Sequence, residues 1–160
     1  MTTAYDELLE ASIVIDAPIS QVWSLIEDPR RLADWSPQVE SVRLRDGFER
    51  IGPGAELTHL NREGELTWTT HSTIVRFEPE RELAFRITEN RVVWSFELTP
   101  TAAGGTQVVQ QRRTPDGISD YSLDLTENYL GGQNAFSRLL RDGMRQTLDR
   151  IKDAAERSST

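Results

Sequence analysis

The sequence contains no cysteine and only two histidines among its 160 residues. The lack of cysteine excludes disulfides, thiolate metal ligands and cysteine nucleophiles. His59 and His71 do not have the His-x-x-x-His spacing that places two ring nitrogens on one helix face, so we expect no metal site. Any chemistry has to proceed without a thiol and, on this prediction, without a bound metal.

Three common nucleotide and hydrolase motifs are also missing. The chain has no Gly-x-Gly-x-x-Gly, no Gly-x-x-x-x-Gly-Lys and no Gly-x-Ser-x-Gly. These absences leave a dinucleotide fold, a P-loop and a nucleophile elbow without support. Carboxylates are plentiful but fall in turns and on helix exteriors, where they form no pair across a pocket. We therefore predict that no cofactor is bound.

Positive charge is scarce, with 18 Lys and Arg against 26 Asp and Glu and a net charge of -8. Nucleic acids and anionic membranes require clustered basic residues, so neither is expected as a partner. No apolar run is long enough to cross a membrane, and the first ten residues do not resemble a signal peptide. We predict a cytoplasmic protein without membrane insertion, and leave open whether it is a monomer or a homodimer.

One domain is predicted to span residues 1–160, with its core at about 8–157, because no repeat or linker interrupts the chain. Its longest element is an amphipathic helix at 133–156, about 36 Å long. The apolar positions of this helix recur every three or four residues: Phe136, Leu139, Leu140, Met144, Leu148, Ile151 and Ala155. Such a stripe requires a broad partner surface. At Gly143 the stripe is narrower, and we expect room for a ligand there.

The preceding chain predicts a strand, two short helices and a run of strands. The first strand is placed at 8–16, Ser20 is predicted to cap the first helix, and Asp28 the second. Short turn signals then separate strands at 39–45, 55–60, 65–77, 82–88, 91–98 and 106–114. Connections of hairpin length favour an antiparallel sheet.

This order of elements carries further marks: Ala17-Pro18, Val22-Trp23, Asp28, Trp35-Ser36-Pro37, the strand from Trp94 to Leu98, and Gly104-Gly105-Thr106. Together they resemble the polyketide cyclase/dehydrase branch of the START-like (Bet v 1-like) superfamily. The resemblance implies an α+β helix-grip fold, in which a curved antiparallel sheet of six to seven strands wraps the C-terminal helix and encloses an apolar cavity.

The resemblance also implies a small hydrophobic ligand, such as a polyketide, lipid or isoprenoid-like molecule. Members of the superfamily include aromatase/cyclases, lipid carriers and hormone receptors, so the fold does not fix the activity. One expectation is cyclisation or dehydration of the ligand. The alternative is a carrier or sensor without catalysis.

Polar residues that share a strand face with apolar ones are the first candidates for the site. On the last strand either Val108, Gln110 and Arg112 or Val109, Gln111 and Arg113 point inward. The family pattern favours the first set. An inward Arg112 would bind a carboxylate, enolate or ketone oxygen, and the alternative is that it reaches water at the sheet edge.

The two histidines differ in how clearly their faces can be assigned. His59 shares the parity of Ala55 and Leu57, so it is a candidate general acid or base. A hydrogen-bonded core histidine is the competing interpretation. The side of the sheet on which His71 lies stays open, because Leu66, Trp68 and Ile74 compete with His71, Val75 and Phe77 for the inner face.

The remaining candidates are aromatic, amide or sulfur-containing side chains. Flat apolar walls are predicted from Trp68, Phe85, Trp94 and Phe96, and Met144 contributes from the helix. The cavity mouth is predicted at Tyr121, Asn128 and Tyr129, before a hinge at Gly131-Gly132, and Trp35 is expected to seal one end. For each of these residues, ordinary packing is the alternative.

Overall fold

The computed structural model describes residues 8–117, 127 and 132–158. These residues contain seven strands: β1 Leu8–Ile15, β2 Val39–Leu44, β3 Glu56–Glu63, β4 Leu66–Glu78, β5 Glu82–Ile87, β6 Val93–Pro100 and β7 Thr106–Arg113. The helices are α1 Ile19–Ile26, a 3-10 helix Pro29–Arg31, α2 Leu32–Trp35 and α3 Gln133–Ser158. This is the element order that the sequence predicted.

The strands form one sheet in the order β1-β7-β6-β5-β4-β3-β2, and every neighbouring pair is antiparallel. Consecutive hairpins build the meander from β2 to β7, and β1 returns to pair with β7. The sheet is curved around α3, which packs against β1, α1 and α2. The predicted α+β helix-grip fold is confirmed.

The long helix α3 buries the predicted apolar stripe. Met144, Leu148, Ile151 and Ala155 are almost inaccessible, whereas Arg145 lies on the exposed side. The helix begins at the predicted residue and ends at Ser158, slightly later than expected. Within residues 8–117 and 132–158, no helix combines the length and apolarity needed to cross a membrane.

The two predicted helix caps have different outcomes. Asp28 caps the 3-10 helix, with its Oδ1 accepting a hydrogen bond from the Arg30 backbone N–H at 3.0 Å. The prediction for Ser20 was wrong, because α1 begins at Ile19 and so includes Ser20. Its capping position is Pro18, which forms no side-chain hydrogen bond. Proline at the cap needs no partner for an N–H it does not have.

A β-bulge in β4 explains why the inner face of that strand was hard to assign. The pairing of β4 with β5 shifts between Ile74 and Arg76. Ile74 before the bulge and Phe77 after it therefore both face the core, although their sequence separation would place them on opposite sides. Phe77 meets Trp23 of α1 in an edge-on contact, with ring centroids 5.6 Å apart.

The main core lies between the inner face of the sheet, α1 and the C-terminal half of α3. A smaller cluster of Leu9, Leu140 and Met144 joins β1 to the N-terminal half of α3. Trp94 and Phe136 pack against this smaller cluster. The interior is thus filled beside the C-terminal half of α3 and where its N-terminal half meets β1. The space between the rest of the sheet, α2 and the N-terminal half of α3 is left for a site.

The β1–β7 junction gives the first testable prediction. A Cβ at Gly105 would lie 2.6 Å from the backbone oxygen of Ile15, so Gly105→Ala forces two strands apart. We expect a loss of about 1–3 kcal/mol in the free energy of unfolding, measured by urea denaturation. Gly52→Ala is the matched control, because its Cβ would meet nothing within 4 Å. Equal stability of the two variants would contradict the close approach.

Candidate functional site

A cavity lies between the inner face of β3–β7, the α2–β2 junction and the N-terminal half of α3. The volume open to the centre of a water molecule is about 130 Å³. Its apolar lining consists of Leu32, Val39, Trp68, Phe85, Ile87, Trp94, Phe136 and Leu140. Its polar lining consists of Ser36, Gln38, His59, Asn61, Thr70, Asn90, Gln110 and Arg112. Apolar walls with a few inward polar groups are typical of small-molecule sites.

Strand β7 brings Gln110 and Arg112 into this cavity. Both share the buried parity of Val108 and are only 5% and 6% exposed, whereas Arg113 is exposed. Gln111 also lies on the outer face, where its Nε2 donates to Glu10 Oε2 at 2.6 Å. Arg112 is already engaged by an interaction within the chain. The structure therefore has the register that places Arg112 inside.

The Gln110 side chain differs from its neighbours in its hydrogen bonding. Its Oε1 is buried and has no hydrogen-bond partner among the described residues. Buried amide oxygens are normally paired, because losing water without a replacement costs about 1–3 kcal/mol. An acceptor in this state on a cavity wall is available to a ligand.

His59 also lines the cavity and is 3% exposed. Its Nε2 lies 2.7 Å from Ser72 Oγ, and its ring is 5.5 Å from that of Phe85. Burial lowers the pKa of His59 to about 4, while Glu89 raises it and His71 lowers it by smaller amounts. The ring is thus neutral at neutral pH, and Nδ1 is the nitrogen without a partner in the described part of the chain.

Five polar lining residues were not predicted from the sequence: Ser36, Gln38, Asn61, Thr70 and Asn90. Asn61 donates from Nδ2 to Thr70 Oγ1 at 3.0 Å and to the Trp68 oxygen at 3.3 Å, which ties β3 to β4 across the cavity wall. Asn90 accepts from the Val92 N–H at 2.9 Å. Asn61 and Thr70 could have been found, since they share the parity of His59 and Trp68. The sequence indicated only that Asn90 lies in a turn.

His71 lies on the outer face of β4 and does not line the cavity. Its Nδ1 is 2.6 Å from Glu89 Oε2, and its backbone N–H donates to Glu89 Oε1 at 2.7 Å. Burial raises the pKa of Glu89, but these bonds from His71 outweigh it and hold the pKa below its ordinary value. The open question about His71 is settled by the inward parity of Trp68 and Ser72.

Phe96 and Met144 lie outside the cavity lining, unlike the prediction. Phe96 has the correct parity, since it pairs with Gln110, but it is 2% exposed and belongs to the main core. Met144 packs against Leu9 and Leu140. Both side chains therefore serve as packing within the two apolar clusters. Trp35 is likewise buried in the core, with its Nε1 donating to the Leu25 oxygen at 3.1 Å.

The expectation that Gly143 leaves room for a ligand was wrong. A Cβ at this position would overlap the Oε1 of Gln38, whose Cδ and Nε2 would each lie 3.0 Å away. The glycine therefore admits the Gln38 amide against the helix backbone. Gln38 in turn lines the cavity, so this contact forms part of its wall.

Some predicted features lie outside the described residues. These are Tyr121, Asn128 and Tyr129 at the predicted mouth, and Gly131 of the predicted hinge. Within the described ranges, no three His, Asp or Glu side chains are grouped so as to hold a metal ion.

Comparison with known families agrees with this geometry. Residues 7–156 match the family described as polyketide cyclase / dehydrase and lipid transport. The chain belongs to this family. The match covers nearly all of the sequence, including every element that lines the cavity. No curated protein matches the chain in sequence.

Solved structures share the fold. The polyketide-cyclase-like protein Cgl2372 from Corynebacterium glutamicum is 27% identical, with a TM-score of 0.60 over 93% of this chain and 91% of its own. The Zhui aromatase/cyclase from Streptomyces sp. R1128 is 19% identical, with a TM-score of 0.71 over 96% and 95%. The major latex-like protein 151 from Panax ginseng is 14% identical, with a TM-score of 0.68 over 92% and 96%.

The pKa of His59 gives a prediction about acid stability. Because the folded value of about 4 lies below the ordinary 6.5, the unfolded chain takes up the proton first as the pH falls. The wild type should therefore lose about 3 kcal/mol more than His59→Gln between pH 7 and pH 4. Urea denaturation at each pH measures this loss, and NMR titration of the ring gives the pKa directly. An NMR value near 6.5 would contradict the burial.

A double-mutant cycle tests the contact between Gln38 and Gly143. In a Gln38→Ala background, Gly143→Ala should stabilise the protein by about 1 kcal/mol, the usual preference of a helix for alanine. With Gln38 present, its flexible amide has to move away from the new methyl group, so the gain should be smaller. The free energies of unfolding of the four proteins give the coupling. Identical effects of Gly143→Ala in the two backgrounds would show that the side chains do not meet.

Proposed function

We propose that this protein binds a small, largely hydrophobic molecule in the cavity between sheet and helix. The observation that carries the proposal is the combination of aromatic walls and buried inward polar groups in one cavity. A folded protein gains nothing in stability from an open space lined by Trp68, Trp94 and Phe136, since each loses packing contacts there. The family description, which includes lipid transport as well as cyclisation, supports the same conclusion.

The walls indicate what shape of ligand fits. Trp68 and Trp94 lie on the inner face of β4 and β6, and Phe85 lies between them on β5. Flat indole and phenyl faces suit an aromatic or polycyclic body. The Arg112 guanidinium offers several N–H donors, which would fix a carbonyl or carboxylate oxygen at one end. A polyketide or isoprenoid-like ligand meets both requirements.

Catalysis of cyclisation or dehydration is the second candidate function, and buried Arg112 favours it. A cation held in a poorly solvated cavity would draw electron density from a ligand carbonyl and stabilise an enolate oxygen. His59 would then receive the proton at Nδ1. Its lowered pKa makes it a weak base, however, and its Nε2 is taken by Ser72. These properties suit hydrogen bonding to a ligand better than proton transfer, so binding is our first choice.

The direct test of binding is native mass spectrometry of the freshly purified protein. We expect a co-purified apolar molecule of a few hundred daltons, on the scale of known drug-sized sites. Gently unfolded protein serves as the control, because a ligand held in the cavity is released when the fold is lost. If no molecule co-purifies and no member of an aromatic ketone and lipid panel binds, the proposed function fails.

Substitution of Arg112 separates the two candidate functions. Arg112→Ala should weaken binding of 2-acetylnaphthalene, an aromatic ketone, by about 10- to 100-fold, the usual effect of losing a charged hydrogen bond. Titration calorimetry measures the affinity, and Arg113→Ala on the outer face of the same strand is the matched control. If Arg112→Ala still binds a ligand but no longer converts it, the protein is an enzyme. If binding and conversion of the ligand fall equally, the protein is a carrier. No change would remove Arg112 from the site.

A further inference from the structure

The unpaired oxygen of Gln110 limits which ligands the cavity can hold. Gln110 is the middle residue of the inward set on β7, between Val108 and Arg112, and it pairs with Phe96 of β6. It therefore lies where the cavity meets the filled core. Its Oε1 is buried there without a hydrogen-bond partner among the described residues.

Four other polar residues of the cavity wall have partners within the protein. His59 is bonded to Ser72, and Asn61 is bonded to Thr70. Asn90 holds the Val92 N–H, and Arg112 is engaged within the chain. These groups have their geometry fixed by protein partners. Apart from Nδ1 of His59, whose role as donor or acceptor depends on the tautomer, Gln110 Oε1 is the buried side-chain atom of these five residues without a partner among the described residues. Its partner is therefore expected from the cavity.

This oxygen is buried from solvent, so it is unpaired while the cavity is empty. A ligand that packs against it without offering a donor leaves it unpaired and binds less tightly than a ligand that pairs it. A ligand that offers an O–H supplies the missing bond. Sites built in this way reject analogues that lack the hydroxyl much more strongly than hydrophobic pockets reject a missing methyl group.

We infer that the cavity selects ligands that carry a hydroxyl group, as in a phenol, enol or alcohol, and that this group donates to Gln110 Oε1. This inference rests on the proposed function, since it specifies the molecule that the cavity binds. A purely hydrocarbon ligand would leave the acceptor unpaired. Positions 110 and 112 lie about 7 Å apart along the strand, so one ligand can also place an acceptor oxygen at Arg112.

A pair of probes with the same shape isolates the hydroxyl. In 2-naphthol and 2-methylnaphthalene, an O–H and a methyl group of similar size occupy the same ring position. The methyl compound is the more hydrophobic, so an apolar pocket would prefer it. Titration calorimetry should compare both probes with the wild type, with Gln110→Met, which keeps the length of the side chain, and with Gln111→Met as the matched control on the outer face.

We expect the wild type and Gln111→Met to bind 2-naphthol about tenfold more tightly than 2-methylnaphthalene, the effect of one hydrogen bond. In Gln110→Met the preference should disappear or reverse. A preference that survives in Gln110→Met overturns the inference, as does equal binding of both probes by the wild type. If neither probe binds any of the three proteins, the proposed function fails as well, and this outcome is distinct from binding without selection.

The Tm of the ligand-free proteins gives a second test, because a ligand-binding role and a structural role of Gln110 predict opposite changes in Tm. If Gln110 serves a ligand, replacing its unpaired oxygen with an apolar group should raise the Tm. If Gln110 instead stabilises the fold, the Tm should fall, which counts against the inference. Gln110→Leu provides a second variant for both measurements should Gln110→Met fail to fold.

Discussion

The packing of one helix against a much wider curved sheet is the constraint from which the other features follow. The apolar stripe of α3 covers β1 and reaches α1 and α2, but a single helix is too narrow to fill the concave side of seven strands. The C-terminal half of α3 closes on the core through Leu148 and Ile151. The N-terminal half of α3 contacts β1 through Leu140 and Met144, and the cavity remains beside it. Its aromatic walls and inward polar groups lie on the part of the concave face that the helix does not cover.

The fold could be predicted because its signals are redundant along the chain. Alternation on 91–98, short turns and the stripe of α3 all favour the same architecture. The site was harder to predict, because it depends on which face each strand turns inward. For β7 the residues alone allowed either Arg112 or Arg113, and only the family pattern selected between them. For β4 a bulge between Ile74 and Arg76 changes the parity, and no local residue marks it.

No pattern in the sequence predicts how deeply a side chain lies in the interior. Phe96 and Trp94 have the same parity and similar chemistry, yet Phe96 fills the core while Trp94 lines the open space. The contact of Gln38 with Gly143 joins residues from distant parts of the chain. The space beside this glycine is therefore filled by the Gln38 amide and is not open to a ligand. The missing partner of Gln110 can be seen only when every neighbouring group has been placed.

The pairing of β1 with β7 has a consequence for how the chain folds. The first strand finds its neighbour only after the whole meander has been synthesised, since Glu10 and Gln111, which are bonded across this pair, are 101 residues apart in sequence. Contacts between such distant residues are slow to form, because the closure entropy of the loop must be overcome first. During synthesis on the ribosome, β1 therefore waits with its edge unpaired. Leu9 and Ile15, which are buried in the folded protein, are exposed during that interval, so it is the time of greatest risk of aggregation.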